Sequence, residues 1–403
     1  MNEAYAAALA SLFDLQTRGV KLGLENVRRL LAGLGHPERG LPCIHVAGTN
    51  GKGSTCAMLA ALGRAAGLRT GLFTSPHLIR FNERIQVDDK PISDDEVVSG
   101  LHAIRVRPES EASTFFEVTT ALAFLHFRAK NVDLVVLETG LGGRLDATNV
   151  VTPVVSVITT IDLDHQAILG QTEHEIAREK AGIIKPGVPV VSGPQSAEAR
   201  SVLEAVAAQR NAPFRLVTEP ETRFSLGLFG SYQQVNAAVA LTAVAAAGLN
   251  LPEQTIRRCL QNVVWPGRFQ IVTPDLVLDG AHNPSACRQL ARTWREFSPV
   301  ERAVVIFGGL RDKALADMLA ALAEIAIAFY FVPVRNRRGA APDAIASQAV
   351  ETLPHRVFTS PAEALATAEG TGRKTLITGS LFLVGEVLAL LAGKGGHLQR
   401  SDQ

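Results

Sequence analysis

Cysteine is scarce in this chain, with only four among 403 residues. Cys43, Cys56, Cys259 and Cys287 form no CxxC pair, so neither a disulfide framework nor a zinc knuckle is indicated. Sparse, unpaired cysteines are typical of proteins that work in a reducing compartment. We therefore expect four reduced packing residues in a cytoplasmic protein.

The chain also carries almost no net charge, and we expect neither a membrane-spanning segment nor a signal peptide. Forty Lys and Arg against 39 Asp and Glu give a net charge of +1, so no overall field would hold the protein on nucleic acid or on an anionic membrane. The most apolar tracts, 237–249 and 381–392, fall short of the roughly 20 residues that a membrane span needs. The start of the chain lacks the basic segment and cleavage site of a signal peptide. No assembly motif stands out, and we expect a monomer.

The chain has neither internal repeats nor low-complexity segments, and its length favours two domains. A hydrophobic fraction of 47% supplies enough apolar surface for packed cores. Short β-rich runs alternate with Ala/Leu-rich stretches that are typical of helices, which predicts parallel sheets covered on both faces. The predicted strands are 43–47, 70–74, 133–138, 154–161, 188–192, 276–279, 303–307, 327–334 and 375–378.

Two features interrupt this alternation. A stretch rich in turn formers, 211–231, precedes an apolar helix over 233–247 that Gly248 is expected to end. The sequence VVWPGR at 263–268 carries a Pro-Gly pair typical of a hinge or linker. We therefore predict two α/β domains that meet near residue 267.

The segment HVAGTNGKGST at 45–55 has the composition of a phosphate-binding loop. It follows a predicted strand and opens a predicted helix, and its glycines let successive N–H groups point at one anion. Lys52 would reach the β and γ phosphates, and the hydroxyl of Ser54 or Thr55 would lie near phosphate or Mg²⁺.

The loop departs from the standard pattern GxxxxGK[ST]. Val46 stands where the first glycine belongs, and Gly53 follows the lysine. Considered alone, the segment is also compatible with a glycine-rich strand-to-helix turn that carries a solvated lysine.

Ten sequence blocks together resemble one known family. In chain order they are GTNGKGS, TSPHLIRFNERI, TFFE, LETGLGGRLDATN, LDHQAILG, REKAGIIKPG, YQQVN, WPGRF, DGAHNP and TGSLF. The loop resembles the variant loop of the Mur ligase superfamily, and the ordered series resembles its folylpolyglutamate synthase and dihydrofolate synthase branch. The resemblance implies an α/β fold with an N-terminal P-loop ATPase domain on a parallel sheet, 1–266, and a smaller C-terminal Rossmann-like α/β glutamate-ligase domain, 267–403.

The resemblance also implies ATP as a cofactor and assigns the residues that bind it. These are Asn50, Gly51, Lys52, Gly53, Ser54 and Thr55 in the loop and Asn236, Arg268 and Asp279 across the cleft. Arg268 offers a planar fork to phosphate, whereas Asp279 would accept from ribose or adenine. Each of the three across the cleft is also compatible with an ordinary linker or loop polar residue. Arg311, Asp312 and Lys313 in GGLRDK either add charge to this site or form a solvated loop.

Two Mg²⁺ ions are implied as well. Glu138 ends the apolar run VDLVVLE, so it belongs at the carboxyl edge of a parallel sheet, where ligands of open α/β folds bind. By resemblance, Glu138 and Ser75 bind the first ion and His165 binds the second. From the residues alone, a carboxylate that caps a turn, a turn hydroxyl and a loop histidine are the competing interpretations.

Three residues are candidates for catalysis. Lys52 belongs to the loop, and Lys180 occupies the position at which the family carries a lysine carbamylated by CO₂. Carbamylation would turn an ammonium into a carboxylate beside the metal site. Without the resemblance, a solvated helix lysine next to Glu179 is favoured. His282 in DGAHNP lines the site near the phosphate or the incoming glutamate by resemblance.

The block TFFE, from Thr114 through Phe115 and Phe116 to Glu117, pairs two aromatic rings with a hydroxyl and a carboxylate. Such a group could stack a pterin ring and hydrogen-bond its edge. In the family this position resembles the dihydropteroate contact of the bifunctional members. The alternative is that both rings begin a helix and belong to the core.

The implied activity is ATP-dependent ligation of L-glutamate to dihydropteroate and to the γ-carboxylate of folate glutamate tails, through an acyl phosphate. A monofunctional folylpolyglutamate synthase remains an alternative. A ligase of cell-wall precursors is disfavoured, because about 40 residues before the loop leave no room for the extra N-terminal domain those enzymes usually carry. A non-catalytic nucleotide-binding regulator would be expected to lack some of Lys52, Glu138, His165 and Lys180, and all are present.

Overall fold

Two β-sheets organise the protein. The structure is a computed structural model of the chain and describes residues 3–19, 21, 23–393 and 398–399. The strands of the first sheet are β1 Cys43–Ala47, β2 Thr70–Phe73, β3 Ile85–Val87, β4 Lys90–Pro91, β5 Leu134–Glu138, β6 Val155–Ile158, β7 Val190–Ser192 and β8 Phe214–Leu216.

The order of strands in this sheet is β4-β3-β2-β5-β1-β6-β7-β8. The six strands from β2 to β8 in that order run parallel, whereas β3 is antiparallel to β2 and β4 is antiparallel to β3. Every residue of β1 and β5 is buried, which explains why these strands are nearly continuous apolar runs.

Helices cover both faces of the first sheet. Alternate residues of a strand point to opposite faces, and here Cys43, Val135 and Leu137 pack in one core cluster while Ile44 and Val136 pack in another. The helices of this part are α1 Glu3–Asp14, α2 Glu25–Gly33, α3 Lys52–Ala65, α4 Asp94–Arg105, α5 Phe115–Ala129, α6 Gln166–Leu169, α7 Glu173–Ala181, α8 Ala197–Gln209, α9 Ser231–Ala246 and α10 Glu253–Gln261.

The second sheet follows the same construction on a smaller scale. Its order is β13-β12-β11-β14-β10-β9, parallel except for β9. The elements are β9 Gln270–Thr273, β10 Leu276–Leu278, α11 Pro284–Phe297, β11 Ala303–Phe307, α12 Leu315–Ala323, β12 Ala326–Phe331, α13 Pro342–Ala346, β13 His355–Val357, α14 Pro361–Glu369, β14 Thr375–Thr378 and α15 Leu381–Leu391.

The predicted fold class is confirmed, because two sheets dominated by parallel strands alternate with helices along the chain. Each of the nine predicted strands is present to within a few residues, and the helix predicted over 233–247 is α9. The turn-rich stretch 211–231 contains the short strand β8. The domain boundary near residue 267 stays a prediction.

The four cysteines are free thiols, with Cys259 partly exposed and the other three buried. No helix in the described part of the chain combines the length and apolarity that crossing a bilayer requires.

Candidate functional site

The carboxyl ends of both sheets face one cavity of about 1100 Å³. Loops that follow β1, β2, β5 and β6 line it from the first sheet, and loops that follow β10, β11 and β14 line it from the second. Parallel strands bring their carboxyl ends to the same edge, which is where open α/β sheets bind ligands.

The loop between β1 and α3 turns on two glycines. Gly48 has a φ of +152°, and a Cβ there would lie 1.8 Å from Thr159 Oγ1. Gly51 begins α3 with a φ of +87°, and a Cβ there would lie 2.6 Å from Asn236 Oδ1. A side chain at either position would collide with its neighbour, so this loop requires glycine twice. The N-terminus of the long helix α3 then faces the cavity, an arrangement suited to phosphate.

Neighbouring elements hold this loop in place. The Thr49 N–H donates to Thr160 O at 2.7 Å, and the Thr49 hydroxyl donates to Asp162 O at 3.0 Å. Lys52 folds back on the loop, with Nζ 3.0 Å from Gly48 O and 3.1 Å from Thr49 O. The lysine amine therefore already lies where the loop would present it to an anion.

Helix α9 supports the loop from the side. Gln233 Nε2 donates to Ser54 Oγ at 3.2 Å, and Asn236 Nδ2 donates to Gln233 Oε1 at 2.9 Å. Asn236 and Ser54 both line the cavity, whereas Thr55 is fully buried in α3 and does not. Ser54 and Thr55 are both buried, and of the two residues whose hydroxyls are predicted near phosphate only Ser54 lines the cavity.

Glu138 and Lys52 lie on the same cavity wall. Burial raises the pKa of Glu138, and the nearby Lys52 ammonium opposes that shift. The Ser75 N–H donates to Glu138 Oε2 at 3.0 Å, which brings the two predicted ligands of the first metal together. Within the described ranges, no group of three or more His, Cys, Asp and Glu could hold a metal ion. One carboxylate and one hydroxyl nevertheless fit Mg²⁺, which keeps several waters and shares phosphate oxygens.

His165 lies at the start of α6 with a φ of +52°. Burial and the Lys313 ammonium lower the pKa of His165 to about 3, so the ring is neutral at physiological pH and can offer a lone pair. Lys313 Nζ is 3.4 Å from His165 Nε2.

Lys180 lies beneath the phosphate loop and does not line the cavity. It is buried, and its Nζ donates to Gly48 O at 2.8 Å. Burial, assisted by the Lys52 charge, lowers the pKa of Lys180 to about 7. A solvated helix lysine is therefore the wrong interpretation of this residue.

Polar residues also join the two sheets across the cavity. Lys313 Nζ lies 2.5 Å from Asp164 Oδ1, and Asn283 Nδ2 donates to Asp164 Oδ2 at 3.1 Å and to Asn50 Oδ1 at 3.0 Å. Burial would raise the pKa of Asp164, but His282, His165 and Lys313 together bring it well below its usual range. Asp164 is therefore an anion held among cationic and polar groups.

Sequence reasoning missed this cluster. It left open whether Lys313 belongs to a solvated loop, and the structure shows a side chain that is only 6% exposed. Asp164 beside His165 in LDHQ was the one available signal. Lys313 is 149 residues from Asp164 along the chain and Asn283 is 119 residues from it, and no local pattern encodes such pairings.

The loop after β10 carries Asp279 and His282. Both Asp279 oxygens accept backbone N–H groups, from Phe269 at 2.7 Å and from Ala281 at 2.8 Å. The carboxylate therefore shapes this loop as well as lining the cavity. Burial raises the pKa of Asp279, whereas the Arg268 guanidinium opposes the shift.

His282 Nδ1 lies 2.8 Å from Gly280 O. Only a protonated Nδ1 can make that hydrogen bond, so the tautomer assigned here leaves Nε2 with a lone pair. Burial and the Lys313 charge lower the pKa of His282 to about 4, which keeps the ring neutral.

Some residues of the block TFFE have the structural role predicted for a helix start in the core, and others are placed where a ligand could bind. Thr114 and Glu117 form a capping box at the start of α5, in which each side chain accepts the other's N–H. Phe115 is 3% exposed and stacks on Phe13 with centroids 5.8 Å apart, as a core residue does. Phe116 is only partly buried, and all four residues of the block line the cavity.

Two family models match this chain. The Mur ligase middle domain matches residues 46–191, and the Mur ligase glutamate ligase domain matches residues 267–381. The chain is 36% identical to the dihydrofolate synthase/folylpolyglutamate synthase of Bacillus subtilis (strain 168), and the match covers 96% of this chain and 99% of that protein.

Solved structures are similar over almost the whole chain. E. coli FolC in complex with DHPP and ADP is 32% identical, with a TM-score of 0.89 over 98% of this chain and 100% of that one. The bifunctional folylpolyglutamate synthase/dihydrofolate synthase of Yersinia pestis, complexed with AMPPNP and Mn ion, is 33% identical, with a TM-score of 0.88 over 97% and 98%.

Proposed function

The chain belongs to the Mur ligase family, in its dihydrofolate synthase/folylpolyglutamate synthase branch, and on that premise we propose that it ligates L-glutamate to dihydropteroate and to the γ-carboxylate of folate glutamate tails at the expense of ATP. The observation that carries the proposal is the common position of Lys52 and Glu138 on one cavity wall, at the carboxyl edge of a parallel sheet.

ATP binds with its phosphates on the loop at 48–54. Lys52 exchanges its two carbonyl acceptors for phosphate oxygens, while the N–H groups at the start of α3 contribute further donors. Asn236, which lies against Gly51 of the loop, and Arg268 both line the cavity and reach the nucleotide there. Ser54, which lines the cavity, supplies the hydroxyl at the start of α3 that lies near phosphate.

Glu138 and Ser75 would hold one Mg²⁺ ion beside the nucleotide, and His165 would hold a second. When bound, they neutralise phosphate charge so that an anionic carboxylate can approach the γ phosphorus. The neutral ring of His165 suits a metal ligand.

Lys180 is carbamylated in the working enzyme. Carbamate formation requires a neutral amine, and the pKa of Lys180 of about 7 supplies one near neutral pH. The resulting carboxylate lies under the phosphate loop, next to Gly48 O and close to Asp164 and Lys52. There it would attract the Lys52 ammonium and help to position it for the phosphates.

The reaction proceeds in two steps. The substrate carboxylate attacks the γ phosphorus and ADP leaves, which gives an acyl phosphate. The amino group of glutamate then attacks the acyl carbon and phosphate leaves, which gives the amide. His282, with a free Nε2 in the cavity, is the candidate that accepts the amine proton. Holding three anionic reactants together and excluding water supplies most of the rate gain.

The pterin binds beside Phe116 and the start of α5, from Thr114 to Glu117. Residues 1–266 act as the ATP-binding domain, and residues 267–403 act as the glutamate-ligase domain. We place the enzyme in the cytoplasm as a monomer.

A cell-wall ligase would use the same chemistry with another acceptor. However, the relative from Bacillus subtilis and the solved structures above match nearly the full chain and are named as enzymes of folate synthesis.

The decisive experiment supplies dihydropteroate and tetrahydrofolate separately, each with ATP, Mg²⁺ and isotopically labelled glutamate, and identifies products by mass spectrometry. Both should gain labelled glutamate with one ADP released per bond. If only the folate is extended, the enzyme is a monofunctional folylpolyglutamate synthase. If ADP appears without glutamate, or not at all, the ligase assignment is wrong.

A further inference from the structure

A second cavity, of about 620 Å³, lies between α3, α10 and the segment 263–266. It shares no lining residue with the cavity described above. Its volume lies within the range of small-molecule sites. No step of the proposed ligation uses it.

Apolar side chains form one part of the lining of this cavity. Ala57, Ala61 and Ala65 line it from α3, at intervals of four residues that place them on one helix face. Leu72 and the Trp265 indole extend this surface. Methyl groups in a row beside an indole form a surface on which a planar ring can lie.

Charged side chains also line this cavity, Arg64 from α3, Asp89 from the segment between β3 and β4, and Arg258 from α10. Arg64 Nη2 pairs with Asp89 Oδ2 at 2.6 Å, which leaves Arg258 as a lining cation for which no ion pair is found among the described residues. The Cys259 thiol lies close enough to Arg64, Asp89 and Arg258 for all three to influence its pKa. The charged groups are therefore gathered at one place.

Trp265 connects this cavity to the phosphate loop. A Cβ on Gly53 would lie only 2.8 Å from Trp265 Nε1, so the edge of the indole rests against the loop backbone. Three residues further along the chain, Arg268 lines the main cavity. A molecule bound against Trp265 would therefore contact a residue that packs on the phosphate loop at Gly53 and lies three residues before Arg268.

We propose that the second cavity binds a planar aromatic carboxylate, with its ring between the alanine face of α3 and Trp265 and its carboxylate on Arg258. The ligand contributes ring stacking and a charge-assisted hydrogen bond, and the cavity offers a partner for each. The bound molecule acts as an effector, because a shift of the Trp265 indole alters the phosphate loop against which the indole packs.

Fluorine NMR of protein labelled with 5-fluorotryptophan tests the site, because the chain has only two tryptophans. Trp294 is 1% exposed in the core of the second sheet and serves as an internal control for folding. Titration with 2-naphthoate should shift the Trp265 resonance saturably and leave the Trp294 resonance in place. 2-Naphthol, which has the same rings without the carboxylate, should bind about tenfold more weakly.

Three variants locate the binding. Arg258→Gln should weaken 2-naphthoate about tenfold and leave 2-naphthol unchanged. Ala61→Leu should abolish the response to both by filling the cavity. Arg257→Gln is the matched control, since Arg257 pairs with Glu253 at 2.9 Å, does not line the cavity and should have no effect.

A Trp265 resonance that never moves would overturn the proposal. Equal affinity for the two probes would also overturn it, as would a response that survives Ala61→Leu, because the probe would then be acting from the main cavity. Release of ADP by the Ala61→Leu variant, assayed separately, reports on the ligase function independently of these outcomes.

Discussion

Burial shifts the pKa values of several residues that we propose to take part in the chemistry. Lys180, His165 and His282 are bases whose pKa values are brought to about 7, 3 and 4 by burial and neighbouring cations. Glu138 is a carboxylate whose pKa burial raises and Lys52 opposes. These pKa shifts suit the roles in binding anions or cations that are proposed above.

Glu138→Gln should weaken the apparent affinity for Mg²⁺ by about a hundredfold. The amide keeps the size of the side chain and can still accept from the Ser75 N–H, but it removes the negative charge. Rates of ADP release measured across a Mg²⁺ titration provide the test. Asp312→Asn, another carboxylate on the cavity wall, is the control, and equal effects of the two changes would contradict a specific role for Glu138.

Lys180→Met should make the protein more stable near pH 7, with a gain that disappears in alkali. Because the folded pKa of Lys180 is about 7 against an ordinary 10.5, the unfolded chain binds a proton that the folded chain lacks between those values. The free energy of unfolding of the wild type therefore rises with pH across that window.

Urea unfolding in CO₂-free buffer at about pH 7 and about pH 10 should show the difference between variant and wild type shrink by more than about 1 kcal/mol. Lys90→Met, at an exposed position, should show no such change. A constant difference for Lys180→Met would mean that its amine is not desolvated.

At the scale of elements, a comparison of two helix caps can distinguish a structural role of Thr114 from a role in binding. Thr114→Ala removes the cap and should lower the free energy of unfolding by about 1 kcal/mol. Ser93 caps α4 in the same way, so Ser93→Ala should cost a similar amount. If Thr114 also contacts the pterin, only its substitution raises the KM for dihydropteroate. Equal KM values in the two variants would restrict Thr114 to its cap.

The inner parallel strands could be predicted, whereas the edge strands and the short antiparallel strand β3 could not. β1 and β5 are buried on both faces, so their sequences are unbroken apolar runs. β4 and β13 are exposed at the sheet edges and include Lys90, Pro91, His355 and Arg356, and such short polar segments have no periodicity to detect. They become strands only because a neighbour offers hydrogen bonds.

Local sequence located the individual residues of the site but not the contacts between distant parts of the chain. Every predicted site residue except Thr55 and Lys180 lines the main cavity. Many of them follow a strand or begin a helix, where the alternation of elements places them, whereas Asn236 lies within α9 and Arg268 precedes β9. The family resemblance, not the alternation, identified those two. The contact of Asp164 with Lys313 depends on how the two sheets meet. That arrangement is a property of the assembled chain, beyond any local pattern.

For the molecule as a whole, this ion pair should hold the two sheets together. Lys313→Met leaves Asp164 buried without its cation at a cost of about 3 kcal/mol, which favours separation of the sheets about a hundredfold. Small-angle X-ray scattering should then show a larger radius of gyration, and adding Asp164→Asn should reverse part of the change. Arg295→Met, which breaks the exposed pair with Glu324, should leave the radius unaltered.

Almost all of the main cavity is built from loops and first helical turns, while the strands that carry them are packed on every side. Stability and substrate choice therefore reside in different parts of the chain. Evolution can exchange an acceptor-binding loop without rebuilding either core, and a laboratory can do the same by grafting loops between relatives.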